Sequence, residues 1–333
     1  MVKIMGGKAV PLVLLFFLSP AIGELLSGAS PPSEFFSPFN LALLSCLYGS
    51  GAIVARELKV RWRKDFRAVL VLGGAYGILE EGLMVKSFFD PAWMDLGALG
   101  QFGRFLEVNW VWAVLLTVYH AVFSIAIPIA LVEMAFPRQR GERWTTDRQL
   151  HIFMMAIAAV TAFGFFFLTP YRPPPLQYCA AAACVLAAGL AAHRMGRLRW
   201  RPGGGAAAVR RMLLAGLAFA TLFFIFDFLG PYIFLNPALN IAAVALLAFG
   251  MWRLLERYDW DWDGNAKPKL ALVSGALLFL IVLAPLQQLD ASRADDTSGM
   301  ALVGIAAAAL LMLLYYRTSK QAQDQGAPSP QGE

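Results

Sequence analysis

The chain has 333 residues, of which 59% are hydrophobic and 15% are charged, and its mean hydropathy is +0.60. A soluble domain contains about 45–50% apolar and about 25% charged residues, so this composition excludes a soluble protein and indicates an integral membrane protein. The formal net charge is +6, but the basic residues lie in short loops between apolar runs, which excludes a nucleic-acid-binding surface.

Ten apolar runs are long enough to cross a bilayer as helices, which takes roughly 20 residues each. They lie at about 9–27, 38–56, 67–86, 109–134, 150–169, 176–193, 209–230, 236–255, 269–287 and 298–316. With the N-terminus inside, 24 of the 28 Lys and Arg residues fall on the inner side. Because basic residues concentrate in cytoplasmic loops, we predict an all-α, polytopic membrane protein with about ten transmembrane helices and both termini cytoplasmic.

The first run has two interpretations. Its basic start, apolar centre and small residues Ala21 and Gly23 are also the pattern of a cleavable signal peptide. Pro11, Pro20 and the apolar residues that follow favour a retained helix with a break. Glu24 lies near its outer end, where it either ends the helix at the lipid headgroups or helps to orient a substrate.

The third run is rich in glycine and carries two adjacent carboxylates, Glu80 and Glu81. On a helix, Gly73, Gly77 and Glu81 share one stripe, and Glu80 lies about 100° away. The glycines allow a neighbouring helix to come close, so the carboxylates are expected to face protein and not lipid. Carboxylates inside a membrane are costly and mark a functional site, although pairing of Glu81 with Lys86 is a structural alternative.

The outer loop at 87–108 is rich in aromatic residues. This composition indicates an interfacial belt or, alternatively, a short helix on the outer leaflet that caps a cavity.

The fourth run places Thr117, His120 and Ser124 on one polar stripe, with His120 near the middle of the membrane. Asn109 at the outer end of this run and Asp227 near the outer end of the seventh also lie in the outer half. We interpret Thr117, Ser124, Asn109 and Asp227 as residues that orient or bind a substrate. The structural alternatives are a hydrogen-bonded core histidine and, for Asp227, a helix end at the headgroups.

The inner half of the membrane has fewer polar groups. Glu57 and Glu133 lie near inner helix ends beside basic loops, and we predict that they are interfacial. Residues 1–317 are predicted to form a single transmembrane domain. The polar tail at 318–333 is predicted to be disordered, because its composition offers little to bury.

Adjacent glutamates followed by a histidine on the next run resemble the CAAX-protease-type intramembrane peptidases, which include the bacteriocin-processing group and its glutamic-protease relatives. That family carries Glu-Glu-x-x-x-Arg, then Phe-x-x-x-His, then His-x-x-x-Asn or Asp. Glu80 and Glu81 match the opening of the first motif. Val85 stands at the arginine position, and Lys86 lies one place later.

The second and third motifs match less of the chain. His120 matches the histidine of the second motif, with Leu116 in place of the phenylalanine. The third motif is absent, since His151 and His193 lie near inner helix ends and have other residues after them. The resemblance covers about residues 75–125 and implies a membrane-embedded peptidase with glutamate and histidine as its catalytic residues.

Two classes of function fit these residues. In a membrane-embedded hydrolase, Glu80 or Glu81 activates water, His120 stabilises the oxyanion or shares the base role, and Asn109 or Asp227 orients them. In a transporter, the same acids bind a proton or cation while a small molecule crosses between bundles. A divalent metal held by Glu80, Glu81, His120 and Asp227 would suit iron, manganese or zinc, but no ligand motif supports a particular cofactor. A purely structural membrane protein is the remaining alternative.

The expected partners are the lipid bilayer and an unidentified small-molecule or peptide substrate, with no nucleic acid. Short basic loops and compact connections are typical of a prokaryotic cytoplasmic membrane, which is the predicted location. The sequence leaves the oligomeric state open.

Overall fold

A computed structural model describes residues 7–198, 208–258, 260 and 266–326. The described chain is almost entirely helical. Its long helices are α1 (Ala9–Leu26), α2 (Pro38–Arg61), α3 (Phe66–Gly77 continued by Ile78–Met84), α4 (Trp110–Ala135), α5 (Asp147–Leu168), α6 (Pro175–Arg194), α7 (Val209–Phe228), α8 (Pro237–Glu256), α9 (Ala266–Leu289) and α10 (Met300–Gly326). Short helices lie at Pro32–Phe35, Met94–Leu99, Pro137–Gln139 and Gly230–Ile233, and β1 (Arg104–Phe105) pairs antiparallel with β2 (Val108–Asn109). The predicted all-α fold is confirmed.

Nine of these helices are long and apolar enough to cross a membrane within the described residues. The remaining long helix is α3, in which twelve residues of α-helix continue into seven of π-helix. Every 18-residue stretch of α3 contains Arg67, Glu80 and Glu81, so its charges and not its length set it apart. The ten predicted runs therefore each correspond to a long helix, with ends shifted by a few residues.

Several helices begin at a side chain that caps the free backbone N–H groups of the first turn. Ser37, Asp65, Asn109 and Asn236 each accept a hydrogen bond from a backbone N–H in the first turn of the helix that follows. Thr146 forms a reciprocal capping box with Gln149 at the start of α5. Such caps stabilise a helix start by about 1 kcal/mol each and fix where the loops end.

The first five helices each contain a π-helical segment. The segments are Ala21–Leu26, Ser45–Gly49, Ile78–Met84, His120–Ala126 and Gly164–Leu168. π-Helical turns are rare and frequently lie at functional sites. Four of the five carry the polar residues that the next section describes.

Helix α3 is the central element of the first half of the chain. It packs against the π-helical segment of α4, against α6 and against α2. In the second half, α7 packs along α9, and α9 packs along α10. Helix α4 connects the two halves, because it also contacts α8, α9 and α10.

The outer loop at 87–108 folds back onto the helices. Phe88, Phe89 and Leu96 are buried in the main core, whereas Met94 and Phe105 are exposed. In place of the predicted alternative of a short helix, Met94–Leu99 forms 3-10 turns that are interrupted by a kink at Gly97. Phe88 and Phe89 are core residues and not members of an interfacial belt.

The last helix extends beyond the predicted end of the transmembrane domain at 317. Helix α10 continues to Gly326, so the first part of the predicted tail is helical. Residues 327–333 lie outside the described residues, and the disorder of that end stays a prediction.

Candidate functional site

The candidate site lies where the π-helical segments of α3 and α4 face each other. Glu80 and Glu81 belong to the segment of α3, and His120 and Ser124 to the segment of α4. The two helices approach closely because Gly77 has no side chain. A Cβ atom at Gly77 would lie 2.9 Å from the Cβ of His120, which is too short for two carbon atoms. The predicted glycine-mediated contact is therefore present.

The imidazole of His120 lies between the two carboxylates. Its Nε2 is 3.1 Å from Oε1 of Glu81, and its Nδ1 is 3.3 Å from Oε2 of Glu80. The hydroxyl of Ser124 lies 3.0 Å from the same Nδ1. All four residues are buried, with exposed fractions of 8% or less. We call Glu80, Glu81 and His120 the carboxylate–histidine cluster.

Glu81 is held firmly on the side opposite Glu80. Its Oε2 accepts a short hydrogen bond from the hydroxyl of Ser87, and that hydroxyl oxygen accepts one from Nε1 of Trp112 at 3.0 Å. The chain from Trp112 through Ser87 to Glu81 and His120 consists of buried residues. Glu81 therefore fixes the orientation of the ring through Nε2.

Glu80 has a different set of neighbours. Its Oε2 lies 3.3 Å from Nδ1 of His120 and makes no hydrogen bond of good geometry among the described residues, and the hydroxyl groups of Tyr48 and Tyr76 lie near the same carboxylate. A buried acceptor without a partner costs free energy unless a water or ligand satisfies it. Oε2 of Glu80 is thus the carboxylate oxygen of the cluster with the capacity to accept a proton or hydrogen bond from a bound molecule.

Three tyrosine rings surround His120. The ring centroids of Tyr48, Tyr76 and Tyr119 lie 5.9, 5.9 and 5.3 Å from the centroid of the imidazole. The hydroxyl of Tyr48 makes a short hydrogen bond to Glu24. These rings exclude lipid from the cluster and present polar hydroxyl groups at its border.

Glu24 lies at the outer border of the site, in the last turn of its helix. It belongs to the π-helical segment of α1, and Ser30 donates a hydrogen bond to its Oε2 at 2.9 Å. The hydroxyl of Tyr119 donates to the carbonyl oxygen of Gly23 at 2.6 Å, which ties this segment to α4. Hydrogen bonds therefore extend from the outer loop through Glu24 to Tyr48, whose ring packs beside the ring of His120.

The other predicted site residues have different positions. Asn109 caps α4 by accepting from the N–H of Trp112, and it donates to the carbonyl of Leu99. Thr117 packs against the glycines of α3. Asp227 is half-buried near the outer end of α7. The cluster thus gathers Glu80, Glu81, His120 and Ser124, with Glu24 at its border.

Lys86 does not pair with Glu81, so the predicted alternative of a Glu81–Lys86 pair is wrong. Its ammonium group donates to the carbonyl oxygens of Phe165 at 2.8 Å and Thr169 at 3.2 Å. Lys86 therefore ties the end of α3 to the end of α5.

The cluster could also hold a metal ion. Within the described residues, one ligand atom each from Glu80, Glu81 and His120 lies within 4.8 Å of the others. Asp227 is not part of this group, so the predicted four-residue ligand set is wrong. The two carboxylates face opposite nitrogens of one imidazole, so a metal ion on one nitrogen would require the carboxylate at the other nitrogen to turn towards it.

A second buried polar cluster lies at the inner ends of α2 and α4, and we call it the inner charge network. The Nζ of Lys59 is 2.8 Å from Glu133, Nη1 of Arg56 is 2.6 Å from Glu57, and Nε of Arg56 is 3.4 Å from Glu133. Arg56 also stacks on Trp144. Glu57 and Glu133 are almost fully buried, so the prediction that they are interfacial is wrong.

Sequence reasoning missed the residues that support the site. These residues are Tyr48, Tyr76, Ser87 and Trp112. They lie in or beside apolar runs, where burial of a hydroxyl or indole group costs little free energy and therefore does not indicate a site. The available signal was that two of the spans carry a tyrosine, at positions 48 and 76, and not a phenylalanine, which has no hydroxyl group. That signal is weak because tyrosine is also common at membrane interfaces.

The fold and the site define a polytopic, helical membrane protein with a carboxylate–histidine cluster buried among its first four helices. Residues 13–249 match the model of a family described as an uncharacterized membrane protein family. The match covers more than half of the chain, and the chain belongs to this family. No curated protein and no solved structure matches the chain.

Proposed function

We propose that the carboxylate–histidine cluster is the active site of a membrane-embedded hydrolase that cleaves an amide or ester bond in a membrane-associated peptide. The observation that carries this proposal is the position of His120, 3.1 Å from Glu81 and 3.3 Å from Glu80 inside the protein. The partial match of these three residues to the CAAX-protease-type motifs adds support, since that family combines adjacent glutamates with a histidine on the following helix.

The contacts assign a different role to each residue. Glu80 is the general base, because its Oε2 is buried beside His120 without a hydrogen-bond partner among the described residues. Glu81 is a positioning residue, because both of its carboxylate oxygens are already hydrogen-bonded, one to Ser87 and the other to His120. His120 donates hydrogen bonds. In its doubly protonated form it also offsets one of the two carboxylate charges in the buried cluster.

The reaction then runs in two steps. Glu80 takes a proton from water, the water oxygen bonds to the substrate carbonyl carbon, and the carbonyl electron pair moves to the oxygen. The Nδ1–H of His120, on the side of the ring that faces Glu80, stabilises that oxyanion. The oxyanion collapses, the bond to the amine or alcohol breaks, and the leaving group takes the proton from Glu80. The products are a carboxylic acid and an amine or alcohol.

In the transporter interpretation the same acids act, but the protein must meet a different structural requirement. A transporter needs a polar path that continues from the cluster to the inner side. Along α4, residues 125–132 between Ser124 and Glu133 are all apolar, and Ile125, Ile129 and Leu131 among them are buried. This layer favours an enzyme that is reached from the outer half of the membrane.

Solvent-oxygen labelling tests the proposal with a library of candidate substrates. The purified protein is reconstituted into vesicles with membrane-anchored peptides of mixed sequence in H₂¹⁸O, and mass spectrometry counts new carboxyl termini that carry ¹⁸O. We expect Glu80→Gln to lower this count by about 10²–10⁴-fold, the usual effect of losing a general base. We expect a smaller loss for Glu81→Gln, since its role is to orient the ring.

The matched control is Glu107→Gln, a carboxylate in the exposed outer loop, which we expect to leave the count unchanged. Thermal unfolding of each variant in detergent verifies that it is folded. If the wild-type protein gives no more labelled termini than folded Glu80→Gln, the hydrolase proposal is wrong.

A further inference from the structure

A second feature of the outer half is an apolar groove between α1 and α10. Its volume is about 440 Å³, and every side chain that lines it is apolar. Ile22 and Leu25 form one wall, Val303 and Ala307 form the other, and Leu277 of α9 contributes to the lining. The groove lies outside the carboxylate–histidine cluster and is not used by the proposed reaction.

The lining of the groove along α10 is about as long as one leaflet of a bilayer is thick, and on α4 the groove reaches Leu131. Its lining on α10 runs from Leu302 near the outer end to Leu311. These nine steps correspond to about 14 Å at 1.5 Å per residue. The hydrocarbon core of a bilayer is about 30 Å thick, so one leaflet occupies about 15 Å.

The top of the groove is closed by contacts between the two outer loops. Ser33 donates to the carbonyl of Asp296 at 3.1 Å, and Arg293 donates to the carbonyl of Gly28 at 2.8 Å. Gln287 donates to the carbonyl of Ser27 at 2.7 Å. An occupant therefore enters from the side, where the bilayer lies.

We propose that this groove binds an acyl chain of an outer-leaflet phospholipid. An acyl chain matches the apolar lining and its length of about one leaflet, and it is available at the side opening. A chain that moves from the bilayer into the groove gains from closer packing and not from the hydrophobic effect, because lipid tails are as apolar as the lining.

The groove also shares an element with the candidate site. Ile22 and Leu25 face the groove, and Gly23 and Glu24 in the same π-helical segment contact Tyr119 and Tyr48. A bound chain would therefore support the α1 segment from the side opposite the cluster. The binding proposal does not depend on the hydrolase proposal.

Photolabelling tests the groove directly. The protein is reconstituted in phosphatidylcholine vesicles that contain a small fraction of phosphatidylcholine with a diazirine on one acyl chain. After irradiation, mass spectrometry locates the labelled residues. We expect labelling of residues 21–26 and 302–311 to exceed that of the exposed residues Phe166 and Phe167 on α5 by roughly fivefold or more, since a held chain stays longer than a passing one.

A groove-filling variant and a matched control make the test specific. Ala307→Trp fills the groove and is expected to remove the excess labelling, whereas Ala309→Trp, on an exposed part of the same helix, is expected to keep it. Equal labelling of the groove and α5 in the wild-type protein overturns the proposal, whether or not the variants fold. A second copy of the chain is the other possible occupant. It is indicated if the labelling disappears at high protein-to-lipid ratio and if Leu302→Cys, in a background without the native cysteines, forms a disulfide between copies. That outcome also overturns the proposal.

Discussion

At the scale of single residues, the site depends on how two neighbouring carboxylates reach one imidazole. Consecutive residues on a helix point in directions about 100° apart. Glu80 and Glu81 nevertheless both contact His120, because the ring lies between them and presents Nδ1 to one and Nε2 to the other. The difference between the two acids comes from their other partners. Ser87 occupies Glu81, while Oε2 of Glu80 has no such partner among the described residues.

The close contact at Gly77 provides a first test at this scale. We expect Gly77→Ala to push α3 away from α4, because the new Cβ would lie 2.9 Å from the Cβ of His120. Overpacking of this kind costs about 1–3 kcal/mol, more than the roughly 0.5–1 kcal/mol that alanine gains over glycine in a helix. Scanning fluorimetry of the detergent-purified protein should give a lower unfolding midpoint.

Gly74→Ala is the matched control on the same helix. Its Cβ would lie 3.5 Å from Cγ2 of Thr117, an ordinary contact, so the midpoint should stay or rise slightly. Equal decreases for Gly77→Ala and Gly74→Ala would contradict the close packing at His120.

The site residues that could be predicted from the sequence are those whose placement inside a membrane costs much free energy. Residues whose placement there costs little were missed. Glu80, Glu81 and His120 were identifiable because charge at membrane depth requires an explanation. Tyr48 and Ser87 were not, because a hydroxyl group in an apolar run has many uses and its partner depends on helix rotation. Hydrogen-bond partners 24 to 105 positions apart, such as Tyr48 with Glu24 and Ser19 with Ser124, have no local pattern to reveal them.

At the scale of secondary-structure elements, π-helical segments build the site. The segments Ile78–Met84 and His120–Ala126 change the side-chain directions that a regular helix would give. The sequence predicted the helices but not these segments, because no residue type marks a π-helical turn. An α-helical projection consequently placed Glu80 only at the flank of the face that carries Glu81.

The inner charge network joins α2 and α4 at their inner ends. Its contribution to the stability of the protein can be tested by mutation. Glu133→Gln removes the carboxylate that Lys59 and Arg56 share, and all three side chains are buried. Loss of one partner from a buried ion pair costs about 3–5 kcal/mol. We expect the unfolding midpoint in detergent to fall by many degrees.

An exposed ion pair of the same protein is the control for this change. Lys8 and Glu142 form a pair at 2.8 Å with both side chains 49% exposed. Solvent screening limits such a pair to about 0–1 kcal/mol, so Glu142→Gln should change the midpoint little. Similar midpoints for Glu133→Gln and Glu142→Gln would show that the network does not hold α2 to α4.

At the scale of the whole molecule, the carboxylate–histidine cluster and the inner charge network are separated by the apolar layer of residues 125–132 on α4. Ten long helices and the asymmetric distribution of basic residues were predictable, because hydrophobic length and loop charge are properties of the sequence alone. The burial of Arg56 and Glu57 was not, because it depends on which loop covers the inner ends of the helices. If this apolar layer is sealed, the carboxylate–histidine cluster can be reached only from the outer half of the membrane.

Cysteine accessibility measures that seal and separates the two classes of function. In a variant whose three native cysteines are replaced by alanine, Ile129→Cys places one thiol in the middle of the layer, at a fully buried position. A charged thiol reagent should fail to label it from either side of oriented vesicles. Glu107→Cys in the exposed outer loop should be labelled only from outside, and Arg138→Cys, exposed at the inner side, only from inside. A hydrolase needs no opening at Ile129, whereas a transporter must admit water or substrate there in some state. Labelling of Ile129→Cys from the inner side would therefore contradict the hydrolase proposal and favour transport.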